Sequence, residues 1–177
     1  MTDTPRAYIG CLASYNAGRH HGRWLDLDCE DTFNEQLKSI LDTAPVPDAE
    51  ELWVFDTEGL PVPGEMSPVE ALKYGLIVSL CRDEHIPDEL MGLVLDTTDS
   101  STHDPDTVLT RCQEVWLGSA STPGEWAEEY WGDCMGDLPT ELSYYVDWER
   151  YAKDMERNGA IRFIRVAHNE YLVVSNH

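Results

Sequence analysis

Cys11 and His21 are this sequence's best candidates for a nucleophile and its base: a thiol in RAYIGCLASY and an imidazole in the loop NAGRHHG that follows. A thiolate served by a histidine can attack an acyl or phosphoryl centre. A small residue inside an alternating strand is a core residue by default, however. His20 and His21 lie between Arg19 and Arg23, so they form either a small cationic recognition site or the solvated tip of a hairpin, which is the simpler reading. A third candidate, DTTDSSTHDPD at 96–106, is rich in oxygen ligands for calcium but lacks the glycine and terminal glutamate of an EF-hand loop. No G-x-x-x-x-G-K-[ST], H-E-x-x-H or G-x-S-x-G motif occurs. The five cysteines are scattered without a C-x-x-C pair, so neither a zinc site nor a disulfide framework is expected, and buried free thiols are the default.

The carboxylates are the stronger signal. The 177 residues carry 34 acidic and 12 basic side chains, a formal net charge of −22, yet 42% of the chain is hydrophobic. That composition is too apolar for a disordered acidic tail, so the charge must sit on a folded surface. From Asp26 to Glu70 there are thirteen acids and one base, Lys38; from Asp83 to Asp106 there are eight acids and no base. Such a surface repels nucleic acid and anionic membrane and attracts a basic partner. A solvated face or adaptation to high salt would give the same composition. Duplex DNA presents one negative charge per ~1.7 Å of axis, so the 44 charges of a dimer would match about 75 Å, or about 22 base pairs.

These residues must be carried by a mixed fold. Alternation in 6–15 predicts a strand, WLDL at 24–27 a returning strand, and Phe33, Leu37, Ile40 and Leu41 a helix from about Asp31 to Thr43. ELWVFD at 51–56 then reads as a third strand, which completes a β-β-α-β module. Ser67-Pro68-Val69-Glu70 is a capping box, and 67–117 read as all-helical, with further helices at Pro87–Leu95 and from Asp104-Pro105. Thr122-Pro123-Gly124-Glu125 opens another helix that Gly132 is expected to stop. Asp147 caps a last helix, and IRFIRV with EYLVV forms a closing hairpin. In the late block, aromatic residues alternate with carboxylates, so the rings are expected to pack while the charges face solvent. The fold class is α+β, with small antiparallel β/α modules at both ends and a helical middle. The division is 1–63, 64–120 and 121–177.

Four blocks, YIGCLASYNAGRHHGRWLDL, ELWVFDTEG, GEWAEEYWGD and LPTELSYYVDWERYAKDMERNGAI, resemble the ArdA-type antirestriction proteins, in the same order and over nearly the whole chain. The resemblance implies an elongated, curved, acidic homodimer of three modules in series, carried by mobile elements. Such a dimer mimics bent DNA and inhibits type I restriction-modification enzymes without catalysis or cofactor. On that basis the phosphate stand-ins are expected to be Asp26, Asp28, Glu30, Asp31 and Glu35; Asp83, Glu84, Asp88 and Glu89; and Glu125, Glu128, Glu129, Asp133, Asp137 and Glu141. The partner would be the DNA channel of a methyltransferase core. Leu138, Leu142, Tyr144, Tyr145 and Trp148 would lie at the twofold contact. With no 18–20-residue apolar run and no basic region followed by an apolar core at the amino terminus, a cytoplasmic protein with no metal site is expected. Two other classes fit the same residues: an acidic inhibitor or scaffold for another DNA-binding protein such as a nuclease or repressor, and a metal-dependent hydrolase using His20, His21 or the Asp99–Asp106 loop.

Overall fold

The structure, a computed structural model, describes residues 4–47, 49–62, 65–136 and 138–176. The chain divides into two compact units, Met1–Thr110 and Arg111–His177.

The first unit is built on a three-stranded antiparallel sheet. Strand β1 (Arg6–Cys11) lies between β2 (Gly22–Asp26) and β3 (Leu52–Glu58). Ala7 pairs with Leu25 and Ile9 with Val54, so one face of the sheet is apolar. The predicted strand over 6–15 ends at Cys11, because its thiol accepts the Ser14 amide and starts a short helix, α1 (Leu12–Asn16), inside the hairpin tip. Helix α2 (Glu30–Asp42) connects β2 to β3 and buries Phe33 and Ile40. Glu30 and Asp31 occupy its first turn, where the helix dipole favours negative charge.

Helices α3 (Pro68–Asp83) and α4 (Asp88–Thr97) complete this unit's core with Ala71, Ile77, Val78, Leu90, Met91 and Val94. The capping box at α3 forms in both directions: Ser67 Oγ accepts the Glu70 amide, and Glu70 accepts the Ser67 amide. A cap of this kind contributes about 1 kcal/mol. Gly75 lets α3 approach the end of β2, since a Cβ there would overlap Leu27. In the polar loop, Asp99 caps a 3-10 turn at Ser100–Thr102 and His103 is buried. The His103 ring bridges Tyr74 Oη (3.2 Å) and Thr98 Oγ1 (2.9 Å). Helix α5 (Pro105–Val115) begins at Asp104, which accepts the Thr107 amide, and spans the division between the units.

The second unit has its own antiparallel sheet, in the order β4 (Trp116–Ala120), β6 (Glu170–Ser175), β5 (Ile161–Ala167). The all-helical reading of 67–117 therefore runs too far, because the chain becomes a strand at Trp116. Against the sheet lie α6 (Pro123–Met135) and α8 (Trp148–Arg157), whose Trp126, Ala127 and Ala152 meet Ile161 and Val173. Glu149 on α8 accepts the Gly124 amide at 3.0 Å, so one helix caps the other. Gly132 lies inside α6 rather than ending it. The stop is Gly136, whose φ of +86° a side chain would resist. A short helix, α7 (Thr140–Ser143), precedes α8. No helix among the described residues is long and apolar enough to cross a membrane.

Candidate functional site

The acidic residues fall unevenly between the units. The first holds 22 acidic and 6 basic residues, a net −16, and the second 12 and 6, a net −6. In the first unit Asp26 ends β2, Asp28 follows it, and Glu30, Asp31 and Glu35 lie along α2; all five are exposed. Asp83 ends α3, Glu84 caps it, and Asp88 and Glu89 open α4, so the corner between these helices gathers four exposed carboxylates. The corner turns through His85 at φ +59°. One of the four is neutralised: Arg82 forms a bidentate pair with Asp88, Nε to Oδ1 at 3.0 Å and Nη2 to Oδ2 at 2.7 Å. Hydrogen bonding to Asp88 holds the Arg82 guanidinium's pKa above its ordinary value.

In the second unit Glu125, Glu129 and Asp133 repeat every four residues along α6, about 6 Å apart in rise. Glu128 is exposed beside them, and Glu141 is exposed on α7. Asp137 lies outside the described residues. Of the fourteen described carboxylates expected to stand in for phosphates, only Asp88 is in an ion pair.

Ring packing in this unit is divided. Trp126 stacks on Tyr130 at 5.0 Å and meets the edge of Phe163, and Trp131, Trp148 and Tyr151 form a second group with centroids 5.8–6.2 Å apart. Tyr144 and Tyr145 do not join them: they are 83% and 87% exposed, next to Leu142 at 55%. Leu138 and Trp148 are half-buried. Packing through the rings within one chain therefore does not extend to Tyr144 and Tyr145.

The catalytic candidates assemble differently from an active site. Cys11 is buried; burial pushes its thiol up, but hydrogen bonds from Ser14 and Ala13 outweigh this and leave it below its ordinary value. His21 is tied elsewhere. Its Nε2 donates to the Ile40 carbonyl at 2.8 Å, so this imidazole, read as part of a solvated tip, in fact anchors the loop to α2. In the 96–106 loop, Asp99 and Asp104 accept the amides of Ser101 and Thr107, and these hydrogen bonds hold both carboxyls below their usual range. Among the described residues no group of three or more His, Cys, Asp or Glu converges to hold a metal ion. Cys29 and Cys134 are exposed, so the default of buried thiols holds only for Cys11, Cys81 and Cys112.

Two features had no signal in the sequence: the Arg82–Asp88 pair, and Glu149 as a cap for a helix 25 residues away. Both depend on helix packing rather than on local pattern.

No curated protein matches the chain. The family model for the antirestriction protein ArdA matches residues 7–170, which include all the described carboxylates discussed above and end at the first residue of β6. The chain belongs to the ArdA antirestriction protein family.

Proposed function

We propose that this protein inhibits type I restriction-modification enzymes by offering the basic DNA channel of their methyltransferase core an acidic surface in place of DNA. The observation that carries this reading is the set of like charges left unpaired at helical spacing. Asp31 with Glu35, Glu125 with Glu129, and Glu129 with Asp133 are i, i+4 pairs of one sign, exposed and, among the described residues, without ion-pair partners. Each such pair costs the helix about 0.2–0.5 kcal/mol. A partner that supplies cations removes that cost and gains the attraction.

The phosphate stand-ins are Asp26, Asp28, Glu30, Asp31, Glu35, Asp83, Glu84, Glu89, Glu125, Glu128, Glu129, Asp133, Asp137 and Glu141, with Asp88 muted by Arg82. In this reading the protein acts as an elongated homodimer of three modules in each chain, joined through Leu138, Leu142, Tyr144, Tyr145 and Trp148. The exposure of Leu142, Tyr144 and Tyr145 supports that contact. The dimer works in the cytoplasm, where restriction enzymes meet incoming DNA, and it uses no cofactor. Nucleic acid is its competitor and not its ligand.

Charge neutralisation in groups tests the reading. An exposed, screened charge contact is worth about 0.5 kcal/mol, or about twofold in affinity. Asp28→Asn alone should therefore weaken binding to a type I methyltransferase about twofold, and the triple Asp28→Asn, Asp31→Asn, Glu35→Gln about tenfold. An unchanged affinity for the triple variant would remove α2 from the contact.

A further inference from the structure

The hairpin tip between β1 and β2 reverses the sign of its surroundings. Arg19, His20, His21 and Arg23 fall within five positions of a unit whose net charge is −16. Among the described residues neither arginine has a carboxylate at ion-pair distance. Arg19 Nη1 donates to the Pro45 carbonyl at 2.8 Å and Arg23 Nη2 reaches Ser39 Oγ at 3.4 Å. Both guanidiniums are thus positioned by neutral oxygens, with no described carboxylate paired to either.

Of the two, Arg19 borders a cleft of about 150 Å³. Tyr8, Tyr15, Phe55 and the buried Cys11 supply its apolar lining. Phe55 lies against Gly10, where a Cβ would sit 3.0 Å from its ring, and its centroid is 4.9 Å from that of Tyr15. Arg19, His20 and His21 supply the polar part of the lining. The bond from His21 to Ile40 fixes that wall in place.

We propose that this cleft binds a small aromatic anion: a single ring against Tyr15 and Phe55, with its negative group on Arg19 and His20. Apolar walls with a few convergent polar groups are the arrangement of small-molecule sites, and the volume suits one ring. The ligand's sign follows from the uncompensated guanidinium, since elsewhere the unit repels anions. An inorganic anion would leave the aromatic wall unused, and a neutral ring would leave Arg19 unpaired. This site is independent of the carboxylate surface and of the proposed antirestriction mechanism.

The test is a titration of the isotopically labelled full-length protein with benzoate, benzyl alcohol and acetate at constant ionic strength, read by amide chemical shifts. Benzoate should give saturable shifts at Gly10, Cys11, Tyr15 and His20, with benzyl alcohol and acetate at least about fivefold weaker. Arg19→Ala should weaken benzoate about tenfold while the rest of the spectrum is preserved. Arg19→Gln, which retains a donor for Pro45, separates loss of charge from loss of loop structure and should weaken benzoate similarly. Non-saturable or scattered shifts, equal binding of benzyl alcohol, or wild-type affinity in Arg19→Gln would each overturn the proposal.

Discussion

Arg82 holds Asp88 across the corner between α3 and α4 by two hydrogen bonds, the shorter 2.7 Å. The pair is partly exposed, 21% for the arginine side chain and 52% for the aspartate, so its contribution to stability is about 1 kcal/mol at most. Its larger consequence is electrostatic. It places one fixed cation among Asp83, Glu84 and Glu89, the only base between Lys73 and Arg111.

Arg82→Gln should therefore tighten binding to a type I methyltransferase about twofold at low salt, because it restores one negative charge to the corner. The double variant Arg82→Gln, Asp88→Asn keeps the net charge of the natural protein and should return to its affinity. Equilibrium binding of the three proteins checks this; weaker binding by Arg82→Gln would mean that the pair is needed intact.

Acid should act on the cap of α3 in a defined direction. Hydrogen bonds from the Ser67 amide, and then from its hydroxyl, hold the Glu70 carboxyl below its ordinary value. A folded-state value below the unfolded one means that this contribution is fully present above the unfolded carboxylate range, near pH 4, and is lost as pH falls through the folded value. The stability difference between natural protein and Glu70→Ala should thus be constant from pH 7 to about pH 5 and shrink below about pH 4. Urea unfolding across that range measures it, and a difference that grows on acidification would contradict the assignment.

How much of this was legible in the sequence depended on the distance over which each element is determined. Ser67 and Glu70 contact each other three residues apart, and the pattern S-P-V-E is sufficient to start α3. The alternation of β1 and the spacing of Phe33 and Ile40 likewise point to one face each. Strand β4 has no such local cause. Val115 and Trp116 continue the apolar stripe of α5, and only pairing of Trp116 with Val174 and Ser119 with Leu172 turns 116–120 into a strand. The end of α6 is hidden for a related reason: Gly132 is a glycine in an ordinary helical turn, whereas Gly136 adopts positive φ. The carboxylates were visible as composition, but pairing of Asp88 required α3 and α4 to meet.

Tyr144 and Tyr145 give a separate test of assembly. Because both are largely exposed, Tyr144→Asp with Tyr145→Asp should leave each chain folded, with a change in unfolding free energy within about 0.5 kcal/mol of zero under conditions where both proteins are monomeric. The same substitutions should convert the proposed homodimer to a monomer in sedimentation equilibrium. A dimer that survives both changes would place the twofold contact elsewhere.

The most direct measurement is displacement of a recognition duplex from a type I methyltransferase by the purified protein at two salt concentrations. If exposed carboxylates occupy the DNA channel, the duplex is released stoichiometrically at low salt, and the protein's own affinity falls as salt rises. A complex that forms while the duplex stays bound, or whose affinity is indifferent to salt, would contradict DNA mimicry.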